Sequence, residues 1–347
     1  MKTTKNKTYK YLFKFIGRAV FFFCFLLGIY SVKAQDIHFS QFFSAPLYLN
    51  PAFTGANVCS RVSTIYRDQW PGISKTYQSY LLSFDHYIQR YNMGVGLLFE
   101  NDVAGTGNLK TTSIYPMWAY EVKVNRKFSM RYGVQAGLGQ KSINFNSLLF
   151  GDQIAHGGSV STASGGNVVS LETPTQTKTY FDMGAGALFY TKEYWGGVSI
   201  FHLTQPNTSM MGGEDMLPFK YSIHGGAQFN FNEREKNLYD HKSLTPAFNY
   251  QGQKKFDQLE IGMYYTQYIF NIGFWYRGIP VFSNAFSDAI AVIIGIKTDR
   301  LNIGYSYDIT ISKLSDASQG AHEITLSYQL CKFRKKKKRM LVPCPKF

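Results

Sequence analysis

Leu301-Asn302-Ile303-Gly304-Tyr305-Ser306-Tyr307-Asp308-Ile309-Thr310-Ile311-Ser312 divides cleanly into two faces. Leu301, Ile303, Tyr305, Tyr307, Ile309 and Ile311 alternate with Asn302, Gly304, Ser306, Asp308, Thr310 and Ser312. A helix would scatter these residues around its axis, whereas a strand sorts them completely, because successive side chains leave a strand on opposite sides. The next segment repeats the pattern, with Ile324, Leu326, Tyr328 and Leu330 set against Thr325, Ser327 and Gln329. An apolar, aromatic-rich face opposite a small polar one is the pattern of a strand between lipid and a polar lumen.

Fourteen such segments can be marked along the chain, at 58–67, 75–88, 92–101, 108–124, 127–143, 180–191, 194–204, 219–231, 243–251, 256–267, 269–278, 286–298, 300–312 and 320–332. Aromatic residues form 17% of the chain and lie largely within them, as the interfacial girdles of a membrane barrel require. The expectation is an all-β fold: a transmembrane antiparallel β-barrel of about 14 strands over 58–332, with an irregular N-terminal segment and a short basic C-terminal tail. An even count puts both ends of the chain on one side, which for an exported barrel is the periplasm. Short links after even-numbered segments, such as Gln89-Arg90-Tyr91, Asn125-Arg126 and Lys192-Glu193, fit that side; the long link near Asn232–Lys242 does not. The 144–179 link, rich in Gly and Ser, reads as a solvated surface loop.

Working outward, residues 1–34 read as a cleaved secretory signal. Lys2, Lys5, Lys7, Lys10, Lys14 and Arg18 precede an apolar run from Ala19 to Tyr30, and Val32-Lys33-Ala34 supplies a cleavage site. That run is too short for a bilayer core, which takes about 20 residues. The formal charge of +15 sits entirely at the two ends: seven basic residues and no acid in the signal, eight and no acid from Lys332 onward. The neutral body gives no support to a nucleic-acid partner. Residues 333–347 form a basic periplasmic tail, read either as a solvated run beside lipid headgroups or as a handle for an acidic partner.

No catalytic set assembles. The seven histidines show no metal-binding spacing, there is no Cys-x-x-Cys, and His322 and Ser327 fall on opposite faces of one strand. Gly94-Val-Gly96, Gly137-Leu-Gly139 and Gly184-Ala-Gly186 are read as room made on a crowded inner face rather than as phosphate loops. The chain is expected to be non-enzymatic and to need no cofactor. Arg67 and Trp70 are either partner contacts or, respectively, a lumen cation satisfied by a carboxylate such as Asp85 and an interfacial aromatic. Cys59, Cys331 and Cys344 remain after signal removal; Cys59–Cys331 and Cys331–Cys344 are both allowed as the one disulfide, as are three free thiols.

Residues 35–57 precede the first strand. Ala45-Pro46 and Asn50-Pro51 disfavour a regular helix or central strand there, so this aromatic-rich segment must pack on something as a plug or periplasmic element. Its block Phe39-Ser40-Gln41 and Pro46-Leu47-Tyr48-Leu49-Asn50-Pro51-Ala52-Phe53-Thr54-Gly55, with Tyr66-Arg67-Asp68-Gln69-Trp70, Gly273-Phe-Trp-Tyr-Arg277 and Gly304-Tyr-Ser-Tyr-Asp308, resembles the PorP/SprF family of type IX secretion and gliding-motility systems. The resemblance implies an outer-membrane barrel that helps to secrete or anchor a partner surface protein. Its implied partners are the outer-membrane bilayer, a secreted surface protein or its C-terminal domain, and periplasmic or outer-membrane secretion and gliding components. Phe39, Gln41, Pro46, Leu47, Asn50, Pro51, Gly55, Arg67 and Trp70 are the candidate partner contacts. The alternative is a passive channel or FadL-like transporter for small solutes, gated by the N-terminal segment.

Overall fold

The computed structural model describes residues 36–57, 59–72, 77–105, 107–144, 175–210, 213–231, 242–254, 256–279, 289–311 and 319–330. The signal segment, nearly all of the 144–179 link, and the basic tail lie outside them. Chain contacts separate Met1–Asp36 from Ile37–Phe347, and everything below concerns the second unit.

Among the described residues fifteen strands follow in order: β1 (Ser60–Gln69), β2 (Tyr77–Ile88), β3 (Met93–Ala104), β4 (Leu109–Lys123), β5 (Ser129–Asn144), β6 (Thr175–Tyr190), β7 (Tyr194–Phe201), β8 (Lys220–Ala227), β9 (Phe229–Asn230), β10 (Lys242–Gln253), β11 (Phe256–Gln267), β12 (Phe270–Ile279), β13 (Ala289–Lys297), β14 (Leu301–Thr310) and β15 (Ala321–Leu330). Each long strand pairs with its neighbour antiparallel, and β15 pairs with β1 from Ser60 opposite Leu330 to Gln69 opposite Ala321. The sheet is therefore a closed barrel of fourteen strands with one two-residue addition. That addition continues β8. Phe229 faces Leu244 in the same register that sets Gly226 opposite Ala247, and the break falls beside Pro246, which has no amide to give.

Alternation decides which side of each strand meets lipid. In β2, Tyr80, Leu82 and Phe84 are more than 40% exposed, while Leu81, Ser83 and Asp85 between them are at most 2% exposed. Aromatic pairs mark both rims: Trp70 meets Tyr77 edge-on beside the ends of β1 and β2, and Trp118 stacks on Tyr120 near the opposite end of β4. No helix among the described residues is long and apolar enough to cross a membrane, so crossing falls to the strands.

The links β2–β3, β4–β5, β6–β7, β11–β12 and β13–β14 are short and define one rim. The opposite rim carries the 202–219 link, folded on itself through an Asn207–Met216 bridge. Three links depart from that pattern. The residues between β9 and β10 form a long link at the short-link rim, and at the other rim β3 turns into β4 through residues 105–108 and β10 into β11 through 254–255 alone.

Candidate functional site

The lumen is occupied by the chain's own amino-terminal segment. Residues 37–56 fold as two 3-10 turns, Phe42–Ser44 and Pro51–Phe53, around one α-helical turn at Pro46–Leu49. Both prolines begin a turn, where a missing amide costs nothing and a fixed φ helps. The Asn50 side chain accepts from the Ala52 amide at 2.8 Å and so caps the second 3-10 turn. Phe39, Phe42, Phe43, Ala45, Leu47, Leu49, Ala52 and Phe53 are all at most 5% exposed and form the barrel's apolar core together with wall residues. Phe42 and Phe43 pack on Trp275, Phe43 meets Trp195 edge-on, and Phe39 and Leu47 join Ile65, Leu81, Leu98 and Tyr115.

Three polar grips hold this plug. The first lies near the long-link rim. Glu323 accepts the backbone amides of Ser40 and Gln41 at 2.9 and 2.8 Å, Asp308 accepts the Ser40 hydroxyl at 2.6 Å, and Arg67 bridges Asp308 and Glu323 at 2.8 and 3.1 Å. Arg277 completes the group, pairing with Asp308 at 3.0 Å and donating to the Ser40 hydroxyl at 3.0 Å. Charges this deeply buried persist only when paired and hydrogen-bonded. Beside them His38 meets Glu260 at 2.9 Å. Burial nevertheless holds its imidazole below the ordinary pKa, against the upward pull of Glu260 and aided by Arg277 and Arg67.

The second grip is Asn50, whose amide donates to the Ala187 and Val198 carbonyls at 3.1 and 3.0 Å. The third lies at the short-link rim, where the Gly55 amide donates to Asp85 at 2.9 Å and Arg131 donates to the carbonyls of Ala52 and Thr54. Glu121 stands behind Arg131 at 3.5 Å and accepts hydrogen bonds from Tyr87 and Tyr190. Bare glycine backbone makes this seating close enough. A Cβ on Gly94 would lie 1.9 Å from the Thr54 carbonyl oxygen, and one on Gly133 would lie 2.3 Å from the Ala52 nitrogen.

The segment thus runs from an amino end gripped near the long-link rim to Gly55 at the short-link rim, where β1 begins. A family description, type IX secretion system membrane protein PorP/SprF, matches residues 31–328. The chain belongs to the PorP/SprF family. Among solved structures it is similar to the toluene transporter TbuX of Ralstonia pickettii, at 13% identity over 82% of this chain and 93% of that one, with a TM-score of 0.47. It is also similar to the monoaromatic hydrocarbon channel CymD, at 13% identity over 82% and 92% with a TM-score of 0.49, and to Omp33 of Acinetobacter baumannii, at 6% over 80% and 100% with 0.41. No curated protein matches the chain. Family and fold together make it a membrane β-barrel protein.

In this PorP/SprF barrel Phe39, Gln41, Leu47 and Asn50 are at most 1% exposed, and Pro46, Pro51 and Gly55 are buried with them. All seven contact the wall or each other, so they can meet a partner only after the plug moves. Arg67 is a lumen cation, but its carboxylates are Asp308 and Glu323; Asp85 instead serves Arg61 and the Gly55 amide, because it lies on β2 at the other end of the lumen. Trp70 sits at the long-link rim against Tyr77, away from the plug. Cys59 is disulfide-bonded, while Cys331 and Cys344 lie outside the described residues. Ser40, Glu121, Arg131, Arg277, Asp308 and Glu323 were not among the candidate contacts, although Ser40, Arg277 and Asp308 stand in the stretches that carry the family resemblance. Their signal was present: each charged member stands on the inward parity of its strand, where a charge needs a partner.

Proposed function

We propose that this protein is a non-enzymatic outer-membrane component of the type IX secretion or gliding machinery that helps to secrete or anchor a partner surface protein. The observation that carries the reading, beyond family membership, is the seated plug. A lumen filled with aromatic side chains and held by three polar grips is built as a closed body, not as an open pore. The short-link rim is the periplasmic side in this proposal, so the barrel begins and ends facing the secretion components. The amino end of the plug then opens toward the cell-surface mouth. A secreted protein or its C-terminal domain engages the loop side, and machinery subunits engage the periplasmic rim and the basic tail.

The test is affinity isolation of the tagged full chain from envelopes of the native host, with quantitative mass spectrometry against an unrelated barrel. Enrichment of secretion or gliding subunits together with an exported surface protein supports the reading. Recovery of neither, from envelopes in which those proteins are abundant, removes it. A small-solute transporter would instead show saturable uptake in proteoliposomes and no such co-isolation.

A further inference from the structure

The barrel body carries no net charge, yet its charges are not divided evenly between the two rims. The links that follow β2, β4 and β6 are neighbours on the short-link rim. With Lys123, the last residue of β4, they hold Arg90, Arg126, Lys127 and Lys192 against one acid, Glu193. All six residues are exposed, and among the described residues none of the five cations is held in an ion pair. The links that present them are fixed by their own hydrogen bonds. Asn125 accepts the amides of Lys127 and Phe128 at 2.8 Å each, and the Thr191 hydroxyl accepts those of Glu193 and Tyr194 at 3.3 and 2.9 Å. Lys123 donates to Asn92 at 3.4 Å, which joins one link to the next. On the opposite rim acids and bases meet, as where Lys141 lies 3.8 Å from Asp215.

The apolar residues beside this arc indicate what covers it. Tyr91, Val124 and Tyr194 are each 53% exposed at the same rim, and Tyr120 and Tyr132, paired across β4 and β5, are 41% and 45% exposed. Tyr120 and Tyr132 stand three residues inside the rim on the lipid-facing parity, about 10 Å from it. The Arg90 guanidinium lies 5.5 Å from the centre of the Tyr91 ring. Cations at the edge of an aromatic belt sit at the depth of phospholipid headgroups, where the charge meets a phosphate and the rings meet the acyl boundary.

We propose that the arc from Arg90 to Lys192 is a docking surface for the phosphate headgroups of anionic phospholipid, in the leaflet at the short-link rim. Five cations on adjacent links meet several phosphates at once, and Arg90 and Arg126 each offer a planar fork that grips one phosphate through two hydrogen bonds. Such an arc anchors the barrel from one leaflet. The proposal does not depend on the secretion role, since it rests on the membrane barrel and its rim alone.

The test is native mass spectrometry of the full chain released from mixed micelles holding equal amounts of dioleoylphosphatidylglycerol and dioleoylphosphatidylcholine, reading the ratio of the two lipids retained. The wild type is expected to retain the anionic lipid in about tenfold excess or more at low salt, and in smaller excess as salt rises. Each cation removed should cost about fivefold, so that Arg90→Gln/Arg126→Gln/Lys127→Gln erases the excess, while Lys127→Arg keeps it. Lys110→Gln/Lys178→Gln, on the opposite rim, should leave the ratio unchanged. The basic tail is present in every variant, so an excess that survives the triple variant belongs to the tail and overturns the proposal. Equal retention of both lipids by the wild type, or equal loss in the two sets of variants at wild-type circular dichroism, overturns it as well. A wild type without lipid preference that binds polyglutamate, in a way the triple variant does not, would assign the arc to an acidic protein instead.

Discussion

Replacing Gly94 by Ala adds one methyl group to the inner wall, and the structure gives the size of the consequence. The new Cβ would stand 1.9 Å from the Thr54 carbonyl oxygen, whereas a relaxed carbon–oxygen contact needs about 3.3 Å. Wall and plug must separate by about 1.4 Å, and both sides are backbone, so no side chain can swing away to absorb it. Thr54 and Gly55 carry two hydrogen bonds to charged groups, from Arg131 to the Thr54 carbonyl and from the Gly55 amide to Asp85. At about 1.5–3 kcal/mol each, their loss removes about 3–6 kcal/mol from the seating of the plug while leaving the strand ladder and lipid face unchanged. Gly133→Ala acts on the adjoining turn, with 2.3 Å to the Ala52 nitrogen, and the two together should release residues 50–56. The assay is limited chymotrypsin digestion of the folded double variant in detergent, followed by N-terminal sequencing. Cleavage after Phe53 or Tyr48 is expected in the variant and absent in the wild type, with equal β-sheet circular dichroism. A double variant that folds normally and keeps its plug fully protected refutes the reasoning.

Three further outcomes follow from the same contacts. Arg67→Met leaves Asp308 and Glu323 facing each other in the lumen with Arg277 alone to balance them, and should lower unfolding stability in denaturant by roughly 3–5 kcal/mol; a loss under 1 kcal/mol counts against the first grip. Release of the plug should become easier in acid. His38 has a lower pKa seated than free, where it is near 6.5, so the released state binds the extra proton and gains relative to the seated one as pH falls through that value toward the seated pKa. Protease protection measured from pH 8 to pH 5 should fall in the wild type and stay flatter in His38→Gln. β1 and β15 are paired as far as Ser60 opposite Leu330, the neighbours in sequence of Cys59 and Cys331. Non-reducing peptide mapping should recover Cys59 linked to Cys331 with Cys344 alkylatable, and a Cys331–Cys344 peptide would show that pairing to be wrong.

Strand number, face and closure were legible because each depends on a local rule. Tyr305 and Ile309 face lipid for the same period-two reason that puts Ser306 and Asp308 in the lumen, and one strand shows it as well as fourteen. The break at Gln228 was invisible to alternation because register continues across it. The plug was legible only as a requirement: two prolines and a run of aromatics outside any strand had to pack somewhere. Its wall partners were not legible, since pairing Ser40 with Glu323 or Asn50 with Val198 depends on which depth of the lumen each turn reaches, and no spacing in the chain encodes that. The assignment of Arg67 to Asp85 failed for the same reason. Parity correctly put both in the lumen, but Arg67 lies two residues from the long-link end of β1 and Asp85 three from the short-link end of β2.

Planar-bilayer conductance of the full chain, beside a variant lacking residues 37–55, tests most directly whether the amino-terminal segment closes this barrel. The seated plug predicts a wild type with no stable open-channel current and a deletion variant that opens to steady, large conductance with its circular dichroism unchanged. Steady conductance in the wild type, or a folded deletion variant that remains closed, would contradict it.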